Sequence, residues 1–117
     1  MKYVYPAVFE YEEGVGYGVY FPNVEGAITS GATLYEAMEM AEDVLAGMLM
    51  DWEDAKAGKH AAVDGVEIPM TNKITEPTPI EKVVPENVKY ASEVFVTLIK
   101  ADTDKYREQL KAQGLLP

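Results

Sequence analysis

The sequence contains no cysteine and a single histidine, His60. The first absence excludes disulfide staples, thiolate catalysis and Cys-ligated zinc. The second excludes His-rich metal sites and leaves little from which to build a His-centred catalytic site. No run of roughly 18 apolar residues occurs, as a membrane-spanning helix would need. Met1–Phe9 alternates where a signal peptide would have an apolar run. The expectation is a cytoplasmic protein with no membrane partner. Positive charge is scarce too: 10 Lys+Arg against 20 Asp+Glu leave a formal net charge of −10 on 117 residues. Such a surface repels phosphate backbones, so no direct nucleic-acid binding is expected of this segment. Apolar residues, by contrast, make up 48% of the chain, enough for the core of one domain.

The apolar pattern begins with period two. Tyr3, Tyr5, Ala7, Phe9 and Tyr11 alternate with Lys2, Val4, Val8 and Glu10, giving a strand over Lys2–Tyr11 with apolar members on both faces. Pro6 cannot donate to a ladder, so one side of the strand is open or bulged there. Glu12–Gly14 is turn material, and Tyr17–Phe21 is a second strand, so the two form a hairpin. Pro22 and Gly26 bracket a tight loop, and Ala27–Ser30 is a short third strand. The pattern then changes to period 3.6. Thr33 and Glu36 have capping-box spacing, and Leu34, Ala37, Met38, Ala41, Val44, Leu45, Met48, Leu49 and Trp52 form one stripe of a long helix. Lys56 and Lys59 suit its C-terminus, and Gly58 suits the C′ position.

From His60 to Ser92 no period persists, and four of the seven prolines fall there. This reads as a long irregular connection with one short helical turn after Pro77 or Pro79, and connections of this length are usually functional. Glu93–Lys100 alternates again as a strand. Asp102 or Thr103 caps a short helix, Lys105–Ala112, ended by Gly114. The order β-β-β-α-β-α defines an α+β domain over residues 1–117: a three-stranded antiparallel meander, a long amphipathic helix, a fourth strand and a short C-terminal helix.

Several groupings invite a chemical reading. Glu10, Glu12 and Glu13 flank a turn, and Asp51, Glu53 and Asp54 lie late in the long helix, whereas a two-metal nuclease needs acids converging from different strands. A solvated acidic surface is the simpler reading. Gly14-x-Gly16-x-Gly18 leads into a strand and lacks dinucleotide-loop spacing, so it reads as a hairpin turn. His60 fits a helix-end histidine facing terminal carbonyls. Met40 and Met50 fall off the apolar stripe and suit an adaptable binding surface. The eight tyrosines divide between core and interface.

Three stretches carry a family likeness. They are Tyr5-Pro6-Ala7-Val8-Phe9, Gly16-Tyr17-Gly18-Val19-Tyr20-Phe21-Pro22-Asn23-Val24-Glu25-Gly26, and Thr29-x-Gly31-x-Thr33-Leu34-x-Glu36-Ala37. Together they resemble the HicB family of antitoxins, closely over residues 3–50 and more weakly over Phe95–Tyr106. Glu25 stands where the family usually has Pro, and Ala27 where it has Cys, while the turn glycine is kept as Gly26. The resemblance implies a partial RNase H-like domain with no catalytic residue, metal or cofactor of its own. Its implied role is to bind a HicA-type mRNA interferase toxin and occlude its active surface. Many HicB proteins continue into a DNA-binding module, and none is expected within residues 1–117. An acidic surface suits a basic RNA-cutting partner. The residues expected at the toxin contact are Glu39, Glu42, Asp43, Asp51 and Glu53, together with the irregular segment. Homo-oligomerisation is expected through strand edges and the apolar tail Leu115–Pro117. Two other readings stay open here: an RNase H-like metal-dependent nuclease using Glu10 and helix acids, and a stand-alone protein-binding module.

Overall fold

A computed structural model describes residues 1–86 and 89–117. Strands β1 (Lys2–Glu12), β2 (Gly16–Tyr20), β3 (Ile28–Gly31) and β6 (Glu93–Asp102) form one antiparallel sheet in the order β3-β2-β1-β6. Helix α1 (Leu34–Lys56) covers one face, and α2 (Thr103–Ala112) follows β6. The α+β order read from the sequence holds. β1 lies between β2 and β6, and both of its faces are covered: α1 packs on the odd-numbered side, and Pro6 and Val8 of the even-numbered side are fully buried. Pairing with β2 ends at Val8↔Tyr20, so Pro6 lies where β2 offers no acceptor for the amide it lacks.

The irregular connection has more structure than its sequence suggested. Two short strands, β4 (Ala61–Val63) and β5 (Val66–Ile68), form a separate hairpin around Asp64-Gly65. Both turn residues have positive φ, as a two-residue Asp-Gly turn favours. The dipeptide is a hairpin signal, but flanking runs of only three residues carry too little alternation to mark strands. The short helical turn is present as a 3₁₀ turn, Ile80–Lys82, after Pro79. The segment between them is pinned to the Pro22–Gly26 loop. The Asn23 side chain donates to Thr75 Oγ1 (3.1 Å) and Thr78 Oγ1 (2.9 Å) and accepts from the Thr78 amide (2.9 Å). The Thr75 amide donates to the Asn23 carbonyl, and the Glu25 amide to that of Lys73. Asn23 is buried, so these bonds replace the water it has lost.

The core lies between α1 and the odd-numbered side of β1. Phe9, Leu45 and Leu49 are fully buried with Val19, Val24, Ala37 and Ala41, and Phe9 stacks on Phe95 at 5.0 Å. The buried line of α1 is Ala37–Ala41–Leu45–Leu49 with Ala46, narrower than the sequence stripe: Leu34 and Met38 are exposed. Small residues at the helix start let α1 approach β3 closely. A Cβ at Gly31 would lie 2.5 Å from the Ala37 nitrogen. Thr33 caps the helix by accepting from the Glu36 amide (3.1 Å), and Glu36 accepts from Ala32, one residue before the expected cap amide. At the other end Gly58 takes positive φ at C′, and Asp102 caps α2 by accepting from Lys105.

Gly31→Ala should therefore destabilise the domain by about 1–3 kcal/mol, because backbone atoms of α1 must retreat. Asn23→Ala should cost a similar amount by leaving the Thr78 amide unpaired, about 1–3 kcal/mol. Urea unfolding of both variants checks these values.

Candidate protein-docking surface

α1 presents its outer surface away from the sheet. Glu39, Glu42, Asp43 and Asp51 are all exposed there, and among the described residues none of them forms an ion pair. Beside the acids stand Tyr35, 76% exposed, and the exposed Met38 and Met40. Aromatic and methionine side chains among carboxylates combine adaptable apolar area with charge, a composition suited to protein contact. Met50, the other off-stripe methionine, is half-buried, and its carbonyl accepts from Arg107 (3.2 Å).

An open groove of ≈ 690 Å³ runs between α1, α2 and the β1–β6 ends. Glu39, Glu42 and Asp43 form one wall, Tyr3, Ala46, Ala101 and Tyr106 belong to the lining, and Lys2, Lys100 and Lys105 are the cations on it. Tyr106 lies over Gly47, where an added Cβ would sit in ordinary contact with its hydroxyl at 3.4 Å. Burial, then the charge of Asp43, raises the Tyr106 pKa. Asp51 sits further along the helix, where partial enclosure and then the charge of Asp54 hold its carboxyl above the usual range.

Glu53 does something different from the other four. Its carboxylate accepts from Tyr3 Oη (2.6 Å), Thr103 Oγ1 (2.8 Å) and Arg107 (3.1 Å), so it joins β1, α1 and the start of α2. Arg107 also pairs with Asp54 at 3.0 Å. Burial raises the Glu53 pKa, but the three hydrogen bonds outweigh it and the net displacement is downward. Its acceptor capacity is spent inside the fold, which the sequence could not reveal because the donors lie about 50 residues away in both directions.

The remaining candidates do not converge. Glu10 is on the even-numbered side of β1, paired with Gly18 and Val94, so the sheet separates it from the α1 acids. Among the described residues no group of three or more His, Asp or Glu side chains is placed to hold a metal. His60 Nδ1 is enclosed and unpaired; the expected contact with helix-end carbonyls is not made at that nitrogen, and the amides of Gly58 and Lys59 close the helix instead. Among the described residues no helix is long and apolar enough to cross a membrane.

This arrangement is an antiparallel-sheet α+β domain with one helix-borne, acidic and partly apolar surface. Solved structures of similar fold include toxin–antitoxin proteins. A chain of a toxin–antitoxin complex from Streptococcus pneumoniae is similar with a TM-score of 0.63 and 19% identity, over 100% of this chain and 91% of that one. The N-terminal domain of the antitoxin HicB from Burkholderia pseudomallei gives 0.55 and 16%, over 86% and 99%. A chain of a HicA3 and HicB3 toxin–antitoxin complex gives 0.56 and 16%, over 86% and 99%. This chain spans 61% of the length of the antitoxin HicB chain from Burkholderia pseudomallei in another similar structure. No family model and no curated protein matches the sequence. The fold is thus that of the HicB N-terminal domain, at an identity low enough that the likeness is one of architecture.

The Glu53 cluster yields a pH prediction. A carboxylate whose folded pKa is depressed contributes stability above its ordinary value of 4.5, and that contribution fades as pH falls below it toward the folded pKa. Glu53→Gln should lower stability at neutral pH by about 1–3 kcal/mol. It should also flatten the acid side of the stability profile below pH 4.5, measured by urea unfolding across pH.

Proposed function

We propose that this chain is a HicB-type antitoxin domain that binds a HicA-type mRNA interferase toxin and neutralises it by covering its active surface. The carrying observation is the full-length likeness to a chain of a toxin–antitoxin complex. The motifs around Tyr5–Phe9, Gly16–Gly26 and Thr29–Ala37 support the same reading from the sequence side. Toxin contact is assigned to the outer surface of α1: Glu39, Glu42 and Asp43 along the groove, Asp51 beyond them, and Tyr35 and Met38 as apolar anchors. Glu53 supports this surface from within by fixing α2 against α1.

The chemistry of the inhibition is physical. A basic RNA-binding partner is steered toward unpaired carboxylates. Once docked, a standard interface of about 800 Å² per partner is wide enough to block an RNA-cutting surface. No reaction on the antitoxin is required.

Mixing the chain with its cognate toxin should abolish RNA cleavage near one-to-one stoichiometry, and undiminished cleavage in excess chain overturns the proposal. Reversing Glu39, Glu42 and Asp43 together to Lys should weaken inhibition by at least about tenfold and slow association. Cleavage assays and surface-plasmon-resonance association rates read the two effects. All three residues are exposed, so the fold should persist, as circular dichroism would verify.

A further inference from the structure

The Ala61–Ile68 hairpin takes no part in the core. Every residue from Ala61 to Ile68 is exposed, yet the segment is not a loose loop. Asp64 and Gly65 set its turn at positive φ. Both of its roots are tied to the domain. At one, the Lys59 amide donates to the Asp54 carbonyl at 2.7 Å and closes α1. At the other, the Asn72 side chain donates to the Glu25 carbonyl at 3.1 Å, and the Glu25 amide to the Lys73 carbonyl at 3.0 Å. The hairpin is thus held as an arm at the C-terminal end of α1.

The arm has two unlike faces. Its register pairs Ala61 with Ile68, Ala62 with Glu67 and Val63 with Val66. Side chains alternate along each strand, so Ala61, Val63, Val66 and Ile68 share one face, and Ala62 and Glu67 share the other. The first face is wholly apolar and uncovered: Val63 is 57%, Val66 66% and Ile68 50% exposed. A lone two-stranded hairpin is marginally stable at best in water, and it gains stability when its apolar face is covered.

Charge indicates what covers it. From His60 to Asn72 there is no Lys or Arg, and Asp64 and Glu67 are the charges on the hairpin. A second copy of the chain would bring the same two carboxylates to this contact, so like charges oppose it here. A cationic protein meets no such repulsion. The unpaired acids of α1 select the same sign of partner, and α1 leads directly into the arm. From Asp51 to the helix end at Lys56 the rise is only about 7.5 Å, at 1.5 Å per residue.

We propose that the hairpin is a second arm of the toxin contact, its aliphatic face packing on apolar side chains of the basic toxin that docks on α1. The inference rests on the toxin reading and deepens it by dividing the contact into two parts. The carboxylates of α1 steer the encounter and govern association. The aliphatic face of the arm excludes water once the partner is seated and governs dissociation.

Surface plasmon resonance with the full chain and its cognate toxin separates the two parts. Val63→Ser with Val66→Ser should speed dissociation at least about tenfold, while the association rate stays within about twofold. Val63→Ile with Val66→Ile keeps the face aliphatic and should dissociate as slowly as the wild type. Both positions are exposed, so the domain should fold in each variant, as urea unfolding would verify. Hydrogen exchange gives a second readout: the hairpin amides should exchange fast in the free chain and at least about tenfold more slowly with toxin bound. If the wild type inhibits the toxin but the serine variant dissociates no faster, or the hairpin amides gain no protection, the arm is overturned and the toxin reading stands. Protection that grows with chain concentration in the absence of toxin assigns the face to a second copy and also overturns the arm. A wild type that does not bind the toxin overturns both.

Discussion

The close seating of α1 on the sheet is the constraint on which the other features depend. Gly31 and Ala37 meet with no room for a Cβ, and the buried line continues through Ala41, Leu45 and Leu49 onto Phe9 and Val19. Fully burying side chains of this size contributes about 1.5–3 kcal/mol each. Because the contact line is narrow, the rest of the helix circumference is left to solvent. Tyr35, Met38, Glu39, Glu42 and Asp43 are exposed for that reason. The second anchor, Glu53 with Tyr3, Thr103 and Arg107, holds α2 at the far end and so shapes the groove beside those acids.

The same seating divides the molecule electrostatically. On one side of the sheet α1 carries Glu39, Glu42, Asp43 and Asp51, which form no ion pair among the described residues. The opposite face of the sheet carries the exposed aliphatic side chains Val4, Ile28 and Leu98. The excess of ten negative charges is thereby carried in part by the outer surface of α1.

Much of the architecture was legible in the sequence, for local reasons. Period-two and period-3.6 patterns, the Thr33–Glu36 cap, Gly58 and Asp102 are signals read within a few residues. The resemblance over residues 3–50 located the same fold that the structural likenesses show. What was not legible depends on distant partners. Asn23 looks like an ordinary turn residue until Thr75 and Thr78 are placed beside it. Glu53 looks like one more acid of an exposed helix face until Tyr3 and Arg107 close on it. Leu34 and Met38 fit the apolar stripe, yet in the first turns of α1 both are exposed. The His60–Ser92 connection hid the Asp64-Gly65 hairpin because three-residue strands carry too little pattern to register.

The central claim is that the outer surface of α1 is where a toxin docks. The most direct measurement is a nuclear-magnetic-resonance titration of the isotope-labelled chain with its unlabelled cognate toxin. The account predicts that the perturbed resonances map to Tyr35–Asp43, Asp51 and the Tyr106 side of the groove. Perturbations confined to the sheet face opposite α1, around Ile28 and Leu98, or to the Ala61–Ile68 hairpin, would contradict it.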